Sequence, residues 1–280
     1  MKTKKFITFF LTFLLVVILY KNFSEAVFLK NQERVNVVLY GENSFYLSFS
    51  KIGVNYLIRI PVDAKILVPG GYGYYRNGGL GKLSALDKKP EIIKKAYSGA
   101  TSSFVDLYFY TTDKIYFKND QKNLSFPKIK TILFDNSNAN FIDRLLLIFK
   151  IIKSDKSDFK IIDIGEDFFD QESFNKDYQG IFYKKIYRDK MPTVQIIYKK
   201  SYRTAYFLGN IIMGEGIRVV DLTEDENMNV ETKCQIITKN LDIVTKSLSS
   251  YFNCQLKKGE PSISDIILKL GSLEVDWAVK

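Results

Sequence analysis

The stretch TVQIIYKKSYRTAYFLGNIIMGEGIRVVDLT, residues 193–223, decides the fold class because it contains a strand, a helix and a second strand in succession. Thr193–Tyr198 is rich in β-branched residues, as strands are. Ser201 is a favoured helix N-cap, and the apolar residues after it recur at helical spacing until Gly214. Ile217–Thr223 is the next β-type run. This order predicts an α/β unit.

The same alternation continues toward the C-terminus. Further elements are predicted at Glu231–Thr238 (strand), Leu241–Phe252 (amphipathic helix), Asn253–Lys257 and Asp265–Leu270 (strands). The order βαββαβ within about 80 residues predicts a compact two-layer module over residues 192–280. A charged, helix-prone connecting segment is expected before it, over residues 166–191.

Residues 33–165 form a second predicted unit, an α/β domain with a mixed sheet. Its strands are predicted at Val35–Tyr40, Phe45–Ser50, Tyr56–Pro61, Lys65–Pro69, Phe104–Thr111, Lys114–Lys118 and Phe159–Ile164. Pro90–Tyr97 has proline at a helix start, and Asn140 is a predicted N-cap for a helix that extends to about Lys153. The residues between Gly70 and Gly81 are expected to form a glycine-rich loop.

The N-terminus has the pattern of an export signal. Lysines within Met1–Lys5 precede the apolar run Phe6–Tyr20, and Lys21 follows it. The pattern predicts a signal anchor over residues 1–26, a single pass through the cytoplasmic membrane and a chain that is mostly extracytoplasmic. Cleavage after Ala26, which follows small residues, is the alternative.

Composition excludes several kinds of site. The chain of 280 residues has no histidine and two cysteines, which rules out histidine-based catalytic triads, histidine-ligated metals and four-cysteine zinc sites. Its formal charge of +10 comes from 34 Lys and 7 Arg against 31 acidic residues. Because these lysines are scattered and arginine is scarce, no nucleic-acid partner is expected.

The layout resembles an exported protein of the LytR-CpsA-Psr (LCP) family followed by a LytR C-terminal type domain. The resemblance rests on the residues 36–39 (NVVL), 57–64 (LIRIPVDA), 71–76 (GYGYYR), 194–197 (VQII), 216–220 (GIRVV), 234–236 (CQI) and 264–271 (SDIILKLG). LIRIPVDA is similar to the family strand that ends in Pro-Arg-Asp-Thr.

The resemblance implies transfer of a glycopolymer from a polyprenyl-pyrophosphate carrier to peptidoglycan. Family members use arginines to hold the pyrophosphate and aspartates to hold Mg²⁺, which suits bidentate donors and a hard cation. Here Val62 stands where the motif has arginine, and Asp63 remains. An Arg- and Asp-rich segment that would complete the site is missing from residues 100–165, where Arg144 is the sole arginine.

The best residual set for binding an anion or a metal is Asp63 with Arg59 and Arg76. Asp63 is the only metal ligand that we suggest. The alternative is a turn-capping aspartate beside two surface arginines. Cys234 and Cys254 are candidates for a disulfide, provided that a strand and a returning helix separate them. One continuous helix over residues 231–251 would keep them apart.

We therefore expect a membrane-anchored cell-envelope protein with a degenerate LCP-like domain that binds or scaffolds without catalysis. Its expected partners are cell-wall glycopolymer, a polyprenyl-phosphate lipid or other envelope proteins. The alternative is an active, Mg²⁺-dependent glycopolymer phosphotransferase. An active site would need at least two arginines and two carboxylates that converge on one pocket.

Overall fold

The structure is a computed structural model that describes residues 2–30, 33–41, 44–112, 129–165 and 168–279. The predicted strand Lys114–Lys118 lies outside the described residues, as do the first two residues of the connecting segment.

The helices are α1 (Lys2–Glu25), α2 (Val27–Lys30), α3 (Leu80–Asp87), α4 (Glu91–Thr101), α5 (Ile129–Phe134), α6 (Phe141–Lys153), α7 (Gln171–Tyr178), α8 (Lys185–Lys190), α9 (Tyr202–Gly214), α10 (Ile243–Phe252) and α11 (Leu273–Asp276). The strands are β1 (Arg34–Tyr40), β2 (Ser44–Ser50), β3 (Asn55–Ile60), β4 (Lys65–Val68), β5 (Gly73–Arg76), β6 (Leu107–Tyr110), β7 (Asn136–Ser137), β8 (Phe159–Asp163), β9 (Phe168–Phe169), β10 (Thr193–Tyr198), β11 (Arg218–Glu224), β12 (Gln235–Thr238), β13 (Gln255–Lys258) and β14 (Ile266–Lys269).

A mixed sheet in the order β7-β6-β1-β2-β3-β8 organises the N-terminal unit. β1 pairs antiparallel with β2 and parallel with β6. Every residue of β1 is buried, because side chains alternate between two covered faces. Val38 and Tyr40 pack with α3 and α4, whereas Val37 and Leu39 pack with α5 and α6. The unit therefore has helices on both sides of its sheet.

A second mixed sheet, in the order β11-β10-β14-β12-β13, organises the C-terminal unit. β10 pairs parallel with β11 and β14, and β12 pairs antiparallel with β14. Ser201 accepts a hydrogen bond from the Thr204 N–H as the N-cap of α9, and Asp242 forms a capping box with Thr245 on α10. The predicted α/β class with mixed sheets is confirmed.

The connecting segment packs onto both units. Phe169, Phe174 and Phe182 are buried in the core that also contains α3 and α4. Tyr187 on α8 is buried in the core of the C-terminal unit. Aromatic residues interleaved with the charges of this segment supply its buried face.

The prediction of a membrane-spanning signal anchor is wrong. Among the helices of the described ranges, none is both long and apolar enough to cross a membrane. The apolar run of α1 covers the fifteen residues 6–20, about 22 Å of helix against a hydrocarbon core of ~30 Å, and lysines flank it. The single-pass location at the cytoplasmic membrane, which rested on this segment, is corrected with it.

Two glycines allow α4 of the N-terminal unit and α9 of the C-terminal unit to approach closely. A Cβ atom on Gly99 would lie 2.2 Å from the Phe207 ring, and one on Gly214 would lie 1.6 Å from the Ser102 carbonyl oxygen. Both distances are far inside van der Waals contact, so glycine is required at each position. The two units are therefore joined by a tight helix–helix contact.

Candidate functional site

The structure places Asp63, Arg59 and Arg76 in two separate ion pairs. Arg76 Nη1 lies 3.9 Å from Asp63 Oδ1, and both side chains are about half exposed. Arg59 Nη2 lies 3.0 Å from Asp163 Oδ1, across the parallel pairing of β3 with β8. Each arginine thus contacts a carboxylate of its own at the surface. Exposed pairs of this kind contribute little to stability.

The position that corresponds to the arginine of the family motif has a structural role here. The Val62 side chain is 4% exposed and belongs to the core beneath α3 and α4. Asp63 has a cation, Arg76, as its ion-pair partner. Mg²⁺ prefers several oxygen ligands, and the described part of the chain contains no cluster of three metal-ligating side chains. The residues around Asp63 therefore do not fit a Mg²⁺ site.

The glycine-rich segment is more ordered than its composition suggests. Residues 73–76 form β5, which pairs antiparallel with β4, and α3 begins at Leu80. The Tyr72 hydroxyl donates a hydrogen bond to the Asp87 carboxylate, and the Tyr74 ring packs edge-on against Phe168 with centroids 5.5 Å apart. These tyrosines hold the hairpin against the body of the protein.

Cys234 and Cys254 form a disulfide, with an S–S distance of 2.09 Å and a Cα–Cα distance of 4.8 Å. Cys234 precedes β12, and Cys254 lies between α10 and β13. The backbone N–H of Gln255 donates to the Cys234 carbonyl, which brings the two segments together at the sheet edge. The alternative of one helix over residues 231–251 does not occur.

A cavity of about 470 Å³ lies at the junction of the two units. We call it the junction cavity; its lining is Glu25, Val27, Lys30, Glu33, Arg34, Lys94, Phe104, Val105, Asp106, Lys184, Ile186, Tyr187, Ile243, Lys246, Ser247, Ser250 and Tyr251. Elements from both units and the end of α1 contribute to it. Small-molecule sites typically have volumes of about 300–1,000 Å³, and they are common at domain interfaces.

Lys184 lies at the back of the junction cavity between two carboxylates. Its Nζ is 3.7 Å from Asp106 Oδ1 and 3.4 Å from Glu215 Oε2. The other carboxylate oxygens accept backbone N–H groups, from Asn36 to Asp106 at 2.8 Å and from Phe104 to Glu215 at 2.6 Å. We call these three charged residues the buried triad. It connects the residue before β6 in the N-terminal unit with the residue after α9 in the C-terminal unit, through the residue before α8.

Burial and charge act in opposite directions within the buried triad. Burial alone would lower the pKa of Lys184, but the Asp106 and Glu215 carboxylates outweigh it and raise that pKa well above its usual value. Burial raises the pKa of Glu215, while Lys184 opposes the shift. The lysine is therefore charged at neutral pH and offsets the cost of burying the carboxylates.

Lys94 on α4 has a different environment. Its Nζ donates to the Tyr251 carbonyl oxygen at 3.2 Å and lies 3.8 Å from the centre of the Tyr251 ring. Among the described residues, no carboxylate lies within ion-pair distance of this ammonium group. Burial lowers the pKa of Lys94 to about 8. Lys94 thus lines the cavity wall without an ion pair among the described residues, while Asp106 and Glu91 act on it from a greater distance.

Sequence reasoning placed Lys184 on a solvated face of the connecting segment, which is wrong, and it did not single out Lys94. Lys184 stands in a charged stretch that is typical of an exposed linker, and Lys94 adjoins Lys95 on a helix with a polar face. One available signal was the nearby Tyr187, whose ring centre lies 5.7 Å from the Lys184 ammonium, because a tyrosine in a charged stretch indicates a partly buried face. The acidic partners lie in distant parts of the chain and could not be paired with Lys184 by local pattern.

Comparisons with known proteins add no assignment to this geometry. A scan against protein-family models and searches of curated proteins and of solved structures found no match to the chain. The resemblance to the LCP family therefore rests on the quoted motifs alone.

Proposed function

We propose that the protein is a non-catalytic binding protein of the LCP type, with a LytR C-terminal type module, and that it binds an anionic cell-wall glycopolymer. The observation behind this proposal is that Arg59 and Arg76, near Asp63, do not converge on one anion-binding site. Val62 is a core residue, and Arg59 and Arg76 each pair with a separate aspartate. A pyrophosphate clamp needs guanidinium groups that converge on one anion.

The C-terminal unit supports the same proposal. Its order β10-α9-β11-β12-α10-β13, followed by β14, agrees with the βαββαβ order expected for a LytR C-terminal type module. The VQII motif lies within β10, and the CQI motif leads into β12; both strands belong to the five-stranded sheet. The agreement concerns element order and motif position, so the module type remains part of the proposal.

A transfer assay and a binding assay together test this function. Purified protein is incubated with Mg²⁺, peptidoglycan and a glycopolymer linked to polyprenyl pyrophosphate, and is separately applied to immobilised wall glycopolymer. We expect retention on the glycopolymer without transfer, and the same retention for Asp63→Ala. Failure of the wild type to be retained would contradict the binding function. Mg²⁺-dependent transfer that Asp63→Ala abolishes would establish the alternative phosphotransferase.

A further inference from the structure

The junction cavity has an uneven distribution of charge. Five cationic and three acidic side chains line it. The acids are largely committed to other partners: Asp106 contacts Lys184, and the Glu33 carboxylate accepts the Ile186 N–H with both oxygens, at 3.1 and 2.9 Å. Glu25, at the rim, is exposed.

Three of the lining cations lack an ion-pair partner within the described ranges. In the portion of the chain that the structure describes, Lys30, Lys94 and Lys246 make no ion pair. Lys30 and Lys246 are exposed at the rim, whereas Lys94 lies deeper, against Tyr251. Because Lys94 is half-buried, water screens its attraction for an anion less than it screens that of the exposed rim lysines.

The uncharged residues of the lining indicate what the part of a ligand beyond its anionic group would contact. Val27, Ile186 and Ile243 supply an apolar wall, and the Ser250 hydroxyl is a polar group at the edge. Tyr251 offers no open ring face, because Phe104 stacks on it at 3.9 Å and Lys94 lies over it at 3.8 Å. The apolar body of a ligand, a small ring included, would therefore pack against these aliphatic side chains and would not stack on Tyr251.

We infer that the junction cavity binds a small phosphorylated molecule, with the phosphate between Lys94 and the rim lysines and a compact apolar body against Val27, Ile186 and Ile243. Phosphate fits better than a carboxylate because three lysines without an ion pair in the described part of the chain, Lys30, Lys94 and Lys246, line the same cavity, and phosphate presents more charge and three acceptor oxygens. This site is distinct from Asp63, Arg59 and Arg76, none of which lines the cavity.

Calorimetric titration of the full chain with phenyl phosphate tests the inference, with inorganic phosphate as the minimal probe and benzyl alcohol as the uncharged control. We expect saturable binding of phenyl phosphate, weaker binding of inorganic phosphate and none of benzyl alcohol. Lys94→Met should weaken phenyl phosphate binding at least tenfold, since it removes a charge-assisted contact. Lys82→Met is the matched control, because Lys82 is exposed and lies outside the cavity, and it should leave affinity unchanged.

Lys246→Glu provides a second variant in case Lys94→Met does not fold. Lys246 is exposed, so the reversal spares the core while it places a negative charge at the rim; affinity should fall about tenfold or more. Equal affinity in wild type, Lys94→Met and Lys246→Glu would overturn the inference, as would the absence of phenyl phosphate binding. Asp63→Ala should bind phenyl phosphate normally, so this result is independent of the glycopolymer assay.

Discussion

Replacement of Lys184 by methionine should destabilise the protein by about 3–5 kcal/mol at neutral pH, because two carboxylates would remain buried without their cation. The side chains of Lys184, Asp106 and Glu215 are 6%, 12% and 0% exposed. At an effective dielectric constant of about 20, each attraction over these distances is roughly 4–5 kcal/mol. Desolvation offsets much of this attraction in the wild type, whereas the variant loses the attraction and keeps the buried acids.

The stability lost in Lys184→Met should depend on pH through the titration of Glu215. Without Lys184, the folded-state pKa of Glu215 rises further above its ordinary value of 4.5, because burial and the Asp106 carboxylate then raise it against the Phe104 N–H alone. A raised carboxyl pKa favours the fold at low pH, and that advantage is lost as the pH rises from about 4.5 through the folded-state pKa. The stability gap between wild type and variant should therefore widen from pH 5 to pH 8.

Urea unfolding followed by the fluorescence of Trp277 measures this gap, since Trp277 is the sole tryptophan and is 3% exposed. The double variant Lys184→Met/Glu215→Gln is the internal control. It retains an amide oxygen for the Phe104 N–H and removes one buried charge, so it should lose less stability than Lys184→Met alone. A loss below about 1 kcal/mol for the single variant, or additive losses in the double variant, would refute the role assigned to the buried triad.

Three further outcomes are expected. Reduction of the Cys234–Cys254 disulfide, or replacement of both by serine, should lower stability by about 3 kcal/mol, because it releases a loop of about 20 residues; an unchanged urea midpoint would contradict this. Gly214→Ala should destabilise by at least 2 kcal/mol, because its Cβ would overlap the Ser102 carbonyl; a melting temperature equal to that of the wild type would disprove the close contact. Phenyl phosphate affinity should weaken several-fold from pH 7 to pH 9.5, because Lys94, which Asp106, Glu91, Lys95 and Tyr251 face and whose pKa is about 8, loses its proton over this range; a flat calorimetric profile would exclude Lys94 as the cation.

Local rules predicted the elements whose determinants are local. Ser201 and Asn140 each cap a helix as expected, since the capping bond joins residues three positions apart. The predicted strand Ile217–Thr223 occurs as Arg218–Glu224, within one residue. The period of the apolar residues therefore sufficed for the α/β class and for most elements of both units.

Local sequence rules could not predict the features that depend on contacts between distant parts of the chain. The glycines between residues 70 and 81 predicted a loop, but pairing with β4 makes β5 a strand. The charges near Lys184 indicated a solvated segment, but that lysine is buried and pairs with Asp106, just before β6, and with Glu215, just after α9. The sequence identified Asp63, Arg59 and Arg76 as candidates, yet spacing could not reveal that each arginine already has a separate carboxylate.

The contacts between the last residues and the N-terminal unit affect the order in which the chain folds. The Lys95 ammonium donates to the Asp276 carbonyl 181 residues later, and the Gly70 and Gly71 N–H groups donate to the Ala278 carbonyl. Contacts so distant along the chain form late, because the entropy of closing the intervening loop must be lost first. During synthesis, the apolar surface around Phe104 therefore stays uncovered until the C-terminal strands have been made. A fragment that ends before Trp277 would expose apolar side chains at that surface and be prone to aggregate.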